Sequence, residues 1–401
     1  MHESQQQQAL TAARGNRKTG RHLRRWVPVI GLAMVLGLSG CSAEYWPQIG
    51  GSASQDPEPT PSEQSSSIAP VPVNESQLHR IVEQVSAAAN AGDDALDATA
   101  LDARFVDDAL AQRTANYAIR AAVPDYAVVP PRITDDELDY ALVQSTESWP
   151  RTIFVTVAST SGQTTADAAA DGTADASAEG AAGADADASA SEEKMSPSLA
   201  MILTQESPHE NFQVSRVIAL RGGISMPQAA PAKDGTALLA NDISTLVLPP
   251  EQVGAAYAAV LQNGTAAPEA ASFDLDGDTI LENYGQARAA AAQAKSDEKG
   301  QTMKYSALAR QGDAPVVALS TGAGGALVAT TVIDEQIVDA AGGRYKPQAQ
   351  DAITALSGLE GEQEKLVQQV AHQMLFFVPS KGDDAQIELL GVTSELVAVT
   401  N

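Results

Sequence analysis

The chain has 401 residues, with 25 Lys and Arg against 51 Asp and Glu and a formal net charge of −26 at pH 7. So negative a field repels phosphate backbones, which excludes nucleic acid as a partner. Hydrophobic residues make up 44 % of the chain and aromatics only 4 %, a composition that supports cores of ordinary size built mainly from small aliphatic side chains.

Arg14, Arg17, Lys18, Arg21, Arg24 and Arg25 precede an apolar run from Trp26 to Leu38, the layout of a secretory signal over residues 1–40. The run is too short to span roughly 30 Å of hydrocarbon as a lasting helix, and no second stretch of about 18 apolar residues follows. Arg24-Arg25 leaves the export route open between general secretion and a twin-arginine pathway. The first 40 residues carry six basic and one acidic side chain, so their removal leaves 19 against 50, a net charge of about −31. Cys41 is the sole cysteine, so no intramolecular disulfide can form.

Leu38-Ser39-Gly40-Cys41 resembles the bacterial lipobox. The resemblance implies that the Cys41 thiol is acylated, that the signal is cut away before it, and that the protein sits on the outer face of the cytoplasmic membrane, facing the cell wall. Residues 41–74, rich in Ser, Pro, Gln, Glu and Gly, read as a disordered tether.

A first α+β domain is expected over 75–228. Leu78, Ile81, Val82 and Val85 recur at helical spacing until Asn90-Ala91-Gly92-Asp93 stops the run, and a second helix covers roughly 103–122 before Pro124. The period then changes to alternation at Leu138–Val143 and Arg151–Val157, with further strands at Leu199–Gln205 and Phe212–Leu220. Between these strands, about 162–195 holds Ala, Asp, Ser, Gly, Thr and Glu without Val, Ile, Leu or an aromatic; such a segment cannot form a core and reads as a disordered acidic insertion.

A second α+β domain over 245–401 repeats the order. Helices are expected at Pro249–Gln262 and Thr279–Ala294, and strands at Thr302–Ala309, Val316–Leu319, Gly325–Val332, Val370–Val378 and Ile387–Val399. Helices first and strands afterwards, twice over, predict two tandem domains, each with helices followed by a curved antiparallel sheet. That order resembles nuclear-transport-factor-like or cystatin-like domains. Trp149-Pro150-Arg151, Gly222–Pro227, Gly324–Val328 and Phe376–Pro379 together resemble a family of actinobacterial lipoproteins of uncharacterised function, which implies location and architecture but no activity.

The motifs of chemistry are sparse. His79, His209 and His372 lie far apart and form no metal-spaced pattern. Ser191–Lys194 and Ser296–Lys299 match Ser-x-x-Lys without the companion motifs of penicillin-recognising enzymes. Asp274, Asp276 and Asp278 have the spacing of the first half of a calcium loop, but Thr279 and Gly285 stand where it needs glycine and glutamate. Helix capping by these aspartates explains them better. No cofactor or metal is therefore expected. Arg113 and Tyr117 share a helix face, and Trp149 and Arg151 share a strand face. These four are the candidate lining of a groove between the first helices and their sheet, against the alternative that the aromatics fill the core.

The sequence thus points to a lipid-anchored, non-catalytic binding or scaffold protein with an envelope protein or wall component as partner. The alternatives are a solute-binding lipoprotein serving a transporter, and an envelope-acting enzyme without a recognisable motif.

Overall fold

The computed structural model describes residues 69–159, 198–231, 235–322 and 324–401. The expected signal, Cys41, most of the tether, the acidic insertion and Ser191–Lys194 lie outside the described residues.

Helix α1 (Glu75–Ala95) opens on a capping box, in which Asn74 accepts from the Gln77 N–H and the Gln77 side chain accepts from the Asn74 N–H. It buries Leu78, Val82, Val85 and Ala89 along one face. The helix runs through the expected stop at residues 90–93. Gly92 is there because Tyr117 packs against it: a Cβ at Gly92 would meet the Tyr117 hydroxyl at 2.9 Å. Helix α2 (Asp107–Ala122) follows a short 3-10 turn at Ala98–Leu101.

Strands β1 (Ile133–Val143), β2 (Arg151–Ser159), β3 (Ser198–Gln205) and β4 (Gln213–Ala219) form an antiparallel meander in that order. β1 begins five residues before the expected start. Register shifts on either side of Leu138 break its alternation, so its acidic first half carries no strand period.

In the second half, helix α3 (Pro250–Asn263) and strand β5 (Phe273–Asp274) lead into helices α4 (Thr279–Asn283) and α5 (Gly285–Glu298). One expected helix is thus two. Gly285 has φ +56°, and a Cβ on it would lie 2.2 Å from the Leu261 carbonyl oxygen, so only glycine permits the chain to turn against α3. Strands β6 (Lys304–Gln311), β7 (Val317–Ser320) and β8 (Ala326–Asp339) follow. A small hairpin of β9 (Gln348–Ala349) and β10 (Gly361–Glu362) flanks helix α6 (Ala352–Ser357). Strands β11 (Lys365–Val378) and β12 (Ile387–Thr400) end the chain. The second sheet has the order β5-β12-β11-β8-β6, with β7 also on β8. Only β5 is parallel to its neighbour. At the β6 edge, side chains occupy backbone donors: Gln293 accepts from Tyr305 N and Gln262 from Ala309 N, which blunts the edge against strand addition.

The fold class is α+β, as the element order predicts. Alternation along each strand sorts side chains to two faces. Ile153, Val155, Val157, Leu199 and Met201 face α1 and α2, while Phe154, Ala200, Ile202 and Ile218 meet Leu327, Ala329, Leu375 and Leu390 of the second sheet. The opposite face of that sheet packs Val328, Met374 and Phe376 on Val253, Tyr257 and Leu261 of α3. Each such buried Leu, Ile or Phe contributes roughly 1.5–3 kcal/mol. The stretches expected as domains at 75–228 and 245–401 therefore share a sheet-on-sheet core, and the described residues fall in one compact unit. Among the described residues no helix is long and apolar enough to cross a membrane.

A buried charge ties the layers together. Arg216 of β4 is fully buried, donates from Nε to Thr331 Oγ1 at 3.2 Å and from Nη2 to the Ala314 carbonyl at 3.3 Å, and lies 3.4 Å from Asp108 of α2. The segment between the halves adds cross-ties. Thr236 receives a hydrogen bond from Ser145 N and donates to the Val143 carbonyl, and its hydroxyl reaches Ser320 of β7.

Candidate functional site

A cavity of about 380 Å³ opens where the end of β4 meets the start of β12. After β4 the chain is held to β12 by the Arg221 N–H, which donates to the Leu390 carbonyl. The Arg221 guanidinium is then pinned by the Leu389 carbonyl at 3.0 Å and the Gly277 carbonyl at 2.7 Å. Gly222 and Gly223 turn the chain, Gly223 at φ +77°, and lead Ile224 and Ser225 along the rim. Opposite stand Asp274, Asp276 and Glu388. The parallel pairing of β5 with β12 sets Asp274 directly beside Glu388, and the Asp276 N–H donates to Asp274 Oδ1 at 3.2 Å. The Gly222–Ser225 part of the stretch that carried the family resemblance thus forms one wall.

The three aspartates of the half calcium loop separate here. Asp278 turns inward, 2 % exposed, caps α4 by accepting from Ile280 N and Leu281 N at 3.0 and 3.1 Å, and accepts from the Tyr257 hydroxyl at 2.6 Å. The capping expectation holds for it. Burial and the adjacent Asp278 charge push the Tyr257 hydroxyl well above its ordinary range, which keeps it a donor. Among the described residues no group of three His, Cys, Asp or Glu is placed to hold a metal ion. What remains is an open cleft with three carboxylates and one immobilised guanidinium, a lining that complements a cationic group on a polar ligand. None of its eight lining residues is a His, Cys, Lys or Tyr.

The four-residue groove expected from the sequence does not form. Arg113 and Tyr117 converge on Asp93: Arg113 makes a buried ion pair with it, and the Tyr117 hydroxyl donates to it at 2.6 Å. Arg113 Nη2 also reaches the Pro131 carbonyl, just before β1. Trp149 and Arg151 stack on each other 4.0 Å apart, with the Trp149 indole N–H on Gln205. Because Ile133 pairs with Ser159 and Val143 with Ile153, Arg151 lies at the far end of β2 from the Arg113 side, about 25 Å away along the strand. Tyr117 fills core, as the alternative held, while Trp149 is 36 % exposed.

The histidines are equally separate. His79 is exposed on α1 and His209 is exposed in a turn. His372 is fully buried on β11, with Nδ1 2.7 Å from Ser394 Oγ and its ring against Tyr284, and burial pushes it down to about 3. Ser296 lies in the last turn of α5 rather than at a helix start, so Ser296–Lys299 lacks the setting of a nucleophile.

Sequence reasoning missed a second cluster, where α2 crosses β12. Glu395 is buried and accepts from Asn116 Nδ2 at 2.8 Å and from the Tyr126 hydroxyl at 3.1 Å. Burial pushes its carboxyl up to about 7. Gln112 donates to the Ala371 carbonyl at 2.8 Å beside it. The one available signal was a glutamate inside an apolar strand run.

A family model described as a domain of unknown function, DUF8094, matches residues 70–401. No curated protein and no solved structure matches, which leaves the likeness to nuclear-transport-factor-like and cystatin-like domains as one of element order.

Proposed function

The chain belongs to the DUF8094 family of domains of unknown function, so kinship supplies no activity, and we propose from its own residues that it is an extracytoplasmic lipoprotein. It is held to the outer face of the cytoplasmic membrane through Cys41. Its folded body acts as a non-catalytic binding module for an envelope component that bears a cationic group. The observation that carries this reading is the 380 Å³ cleft between Arg221 and the carboxylates of Asp274, Asp276 and Glu388. Its volume falls in the range of pockets that hold small ligands, and its lining places charge without a nucleophile and base in partnership. The excess of acidic residues over the whole chain adds a long-range attraction for cations.

The anchor is tested by mass spectrometry of the mature N-terminus, which should begin at a diacylated Cys41; a mature terminus elsewhere removes the lipoprotein reading. The cleft is tested by thermal shift with spermidine and lysyl-lysine, since a ligand of the folded state raises Tm by mass action. No shift with either at millimolar concentration removes the cation-binding reading.

A further inference from the structure

We propose that the connection from Val123 to Pro131, between α2 and β1, is a pH-released strap, latched to the body through the Glu395 carboxyl group and roofing a small polar cavity at the seam of the two sheets. Val128, Pro130 and Pro131 close a cavity of about 30 Å³ whose other walls include Gln112, Gln373, Ser394 and Glu395, room for about one water. Pro124, Pro130 and Pro131 have no N–H to offer a ladder. Among the described residues the strap is tied down by three side-chain hydrogen bonds: Tyr126 Oη to Glu395 Oε1 at 3.1 Å, Asn116 Nδ2 to the Val128 carbonyl at 2.9 Å, and Arg113 Nη2 to the Pro131 carbonyl at 3.4 Å. Asn116 Nδ2 also donates to Glu395 Oε2. Two of the three ties therefore pass through groups bonded to Glu395.

The surroundings of Glu395 set the direction of the switch. From α2 come the Asn116 amide and the charge of Arg120, and from the strap the Tyr126 hydroxyl; these, with the Leu396 N–H, favour the ionised form. Tyr284 approaches from before α5, and its own acidity responds to Glu395. Neutral His372 lies on the adjoining β11, and Arg216 of β4 is matched to Asp108. Helix α6 brings no ionisable side chain, and Asp351 before it is exposed. Burial outweighs all of these and places the carboxyl at about 7. Below that pH a neutral Glu395 rests in the cavity wall and can donate to Asn116 Oδ1, a buried acceptor that otherwise has no partner. Above it the charge is stabilised by water, which reaches it when the strap lifts. Opening that restores the ordinary value of 4.5 raises the opening constant by at most about 300-fold.

Hydrogen exchange of the Tyr126 amide, which donates to the Val123 carbonyl, followed in the full chain from pH 5 to 9 and corrected for intrinsic exchange rates, tests the latch. Protection should fall by up to about 300-fold with a midpoint near 7, while the α1 amides keep theirs. Glu395→Gln should abolish that dependence, and Tyr126→Phe, which removes one donor to the carboxylate, should move the midpoint to higher pH. Strap protection that does not change with pH, or the same profile in Glu395→Gln, overturns the proposal. Should Glu395→Gln not fold, an unmoved midpoint in Tyr126→Phe overturns it equally.

Discussion

Replacing Arg216 by alanine should destabilise the protein more than any other single loss of charge. Arg216 is fully buried between the sheets, and desolvation outweighs the Asp108 and Asp107 charges in lowering its affinity for a proton. Truncation leaves three things unmatched: the Asp108 carboxylate 3.4 Å away, the Ala314 carbonyl, and the space of a long side chain. Breaking a buried pair at one partner costs about 3–5 kcal/mol. Asp108 keeps 19 % side-chain exposure and a second donor in the Thr331 hydroxyl, so the lower end, about 3 kcal/mol, applies. Against a total of about 5–15 kcal/mol that is a large share of the stability. Equilibrium unfolding in urea should show it as a lower midpoint with an unchanged m-value. Arg216→Met combined with Asp108→Asn should recover most of the loss, because no charge is then left unpaired. A cost under about 1 kcal/mol for Arg216→Ala, or strict additivity of the two sites, would refute the reasoning.

Two buried groups should oppose each other in the pH dependence of stability. Glu395, at about 7 against an ordinary 4.5, loses about 3 kcal/mol of stabilisation as pH rises from 4.5 to 7, whereas His372, at about 3 against 6.5, loses roughly 5 kcal/mol as pH falls from 6.5 to 3. Wild-type stability should therefore be nearly level between pH 4.5 and 6.5, and Glu395→Gln should expose the His372 slope there; a level profile in both proteins contradicts this. Gly285→Ala meets the Leu261 carbonyl oxygen at 2.2 Å with φ +56°, so it should cost about 2 kcal/mol or more in urea unfolding, and a neutral outcome would show that α3 and α5 adjust freely. Tyr257→Phe strands the buried Asp278 carboxylate without one of its donors and should lower stability by about 1–3 kcal/mol, read by the same assay; no change would mean water takes the place of the hydroxyl.

Much of the fold was legible because its elements follow their local periods. The stripe Leu78, Val82, Val85 and the alternation at Arg151–Val157 mark helix and strand on sight. What failed to show was long-range. Gly92 reads as a helix stop until Tyr117 is placed against it, and Gly285 reads as helix interior until Leu261 is. β8 reaches Asp339 through a polar half that pairs with both β6 and β11, so pairing rather than composition extends it. The cleft was half legible: Asp274, Asp276 and the Gly222-Gly223 turn stood out, but Gly223 and Asp274 lie 51 positions apart and only the fold joins them to each other and to Glu388. The Arg113–Trp149 groove failed because sharing a face says nothing of distance along the strand.

The measurement that bears most directly on the cleft as a binding site is isothermal titration of spermidine into the wild-type chain and into Asp274→Asn/Asp276→Asn/Glu388→Gln. Wild type should bind with an affinity that weakens as salt screens the carboxylates, and the triple variant should lose binding while keeping its unfolding midpoint. Equal affinity in the two proteins, or none in the wild type, would contradict the account.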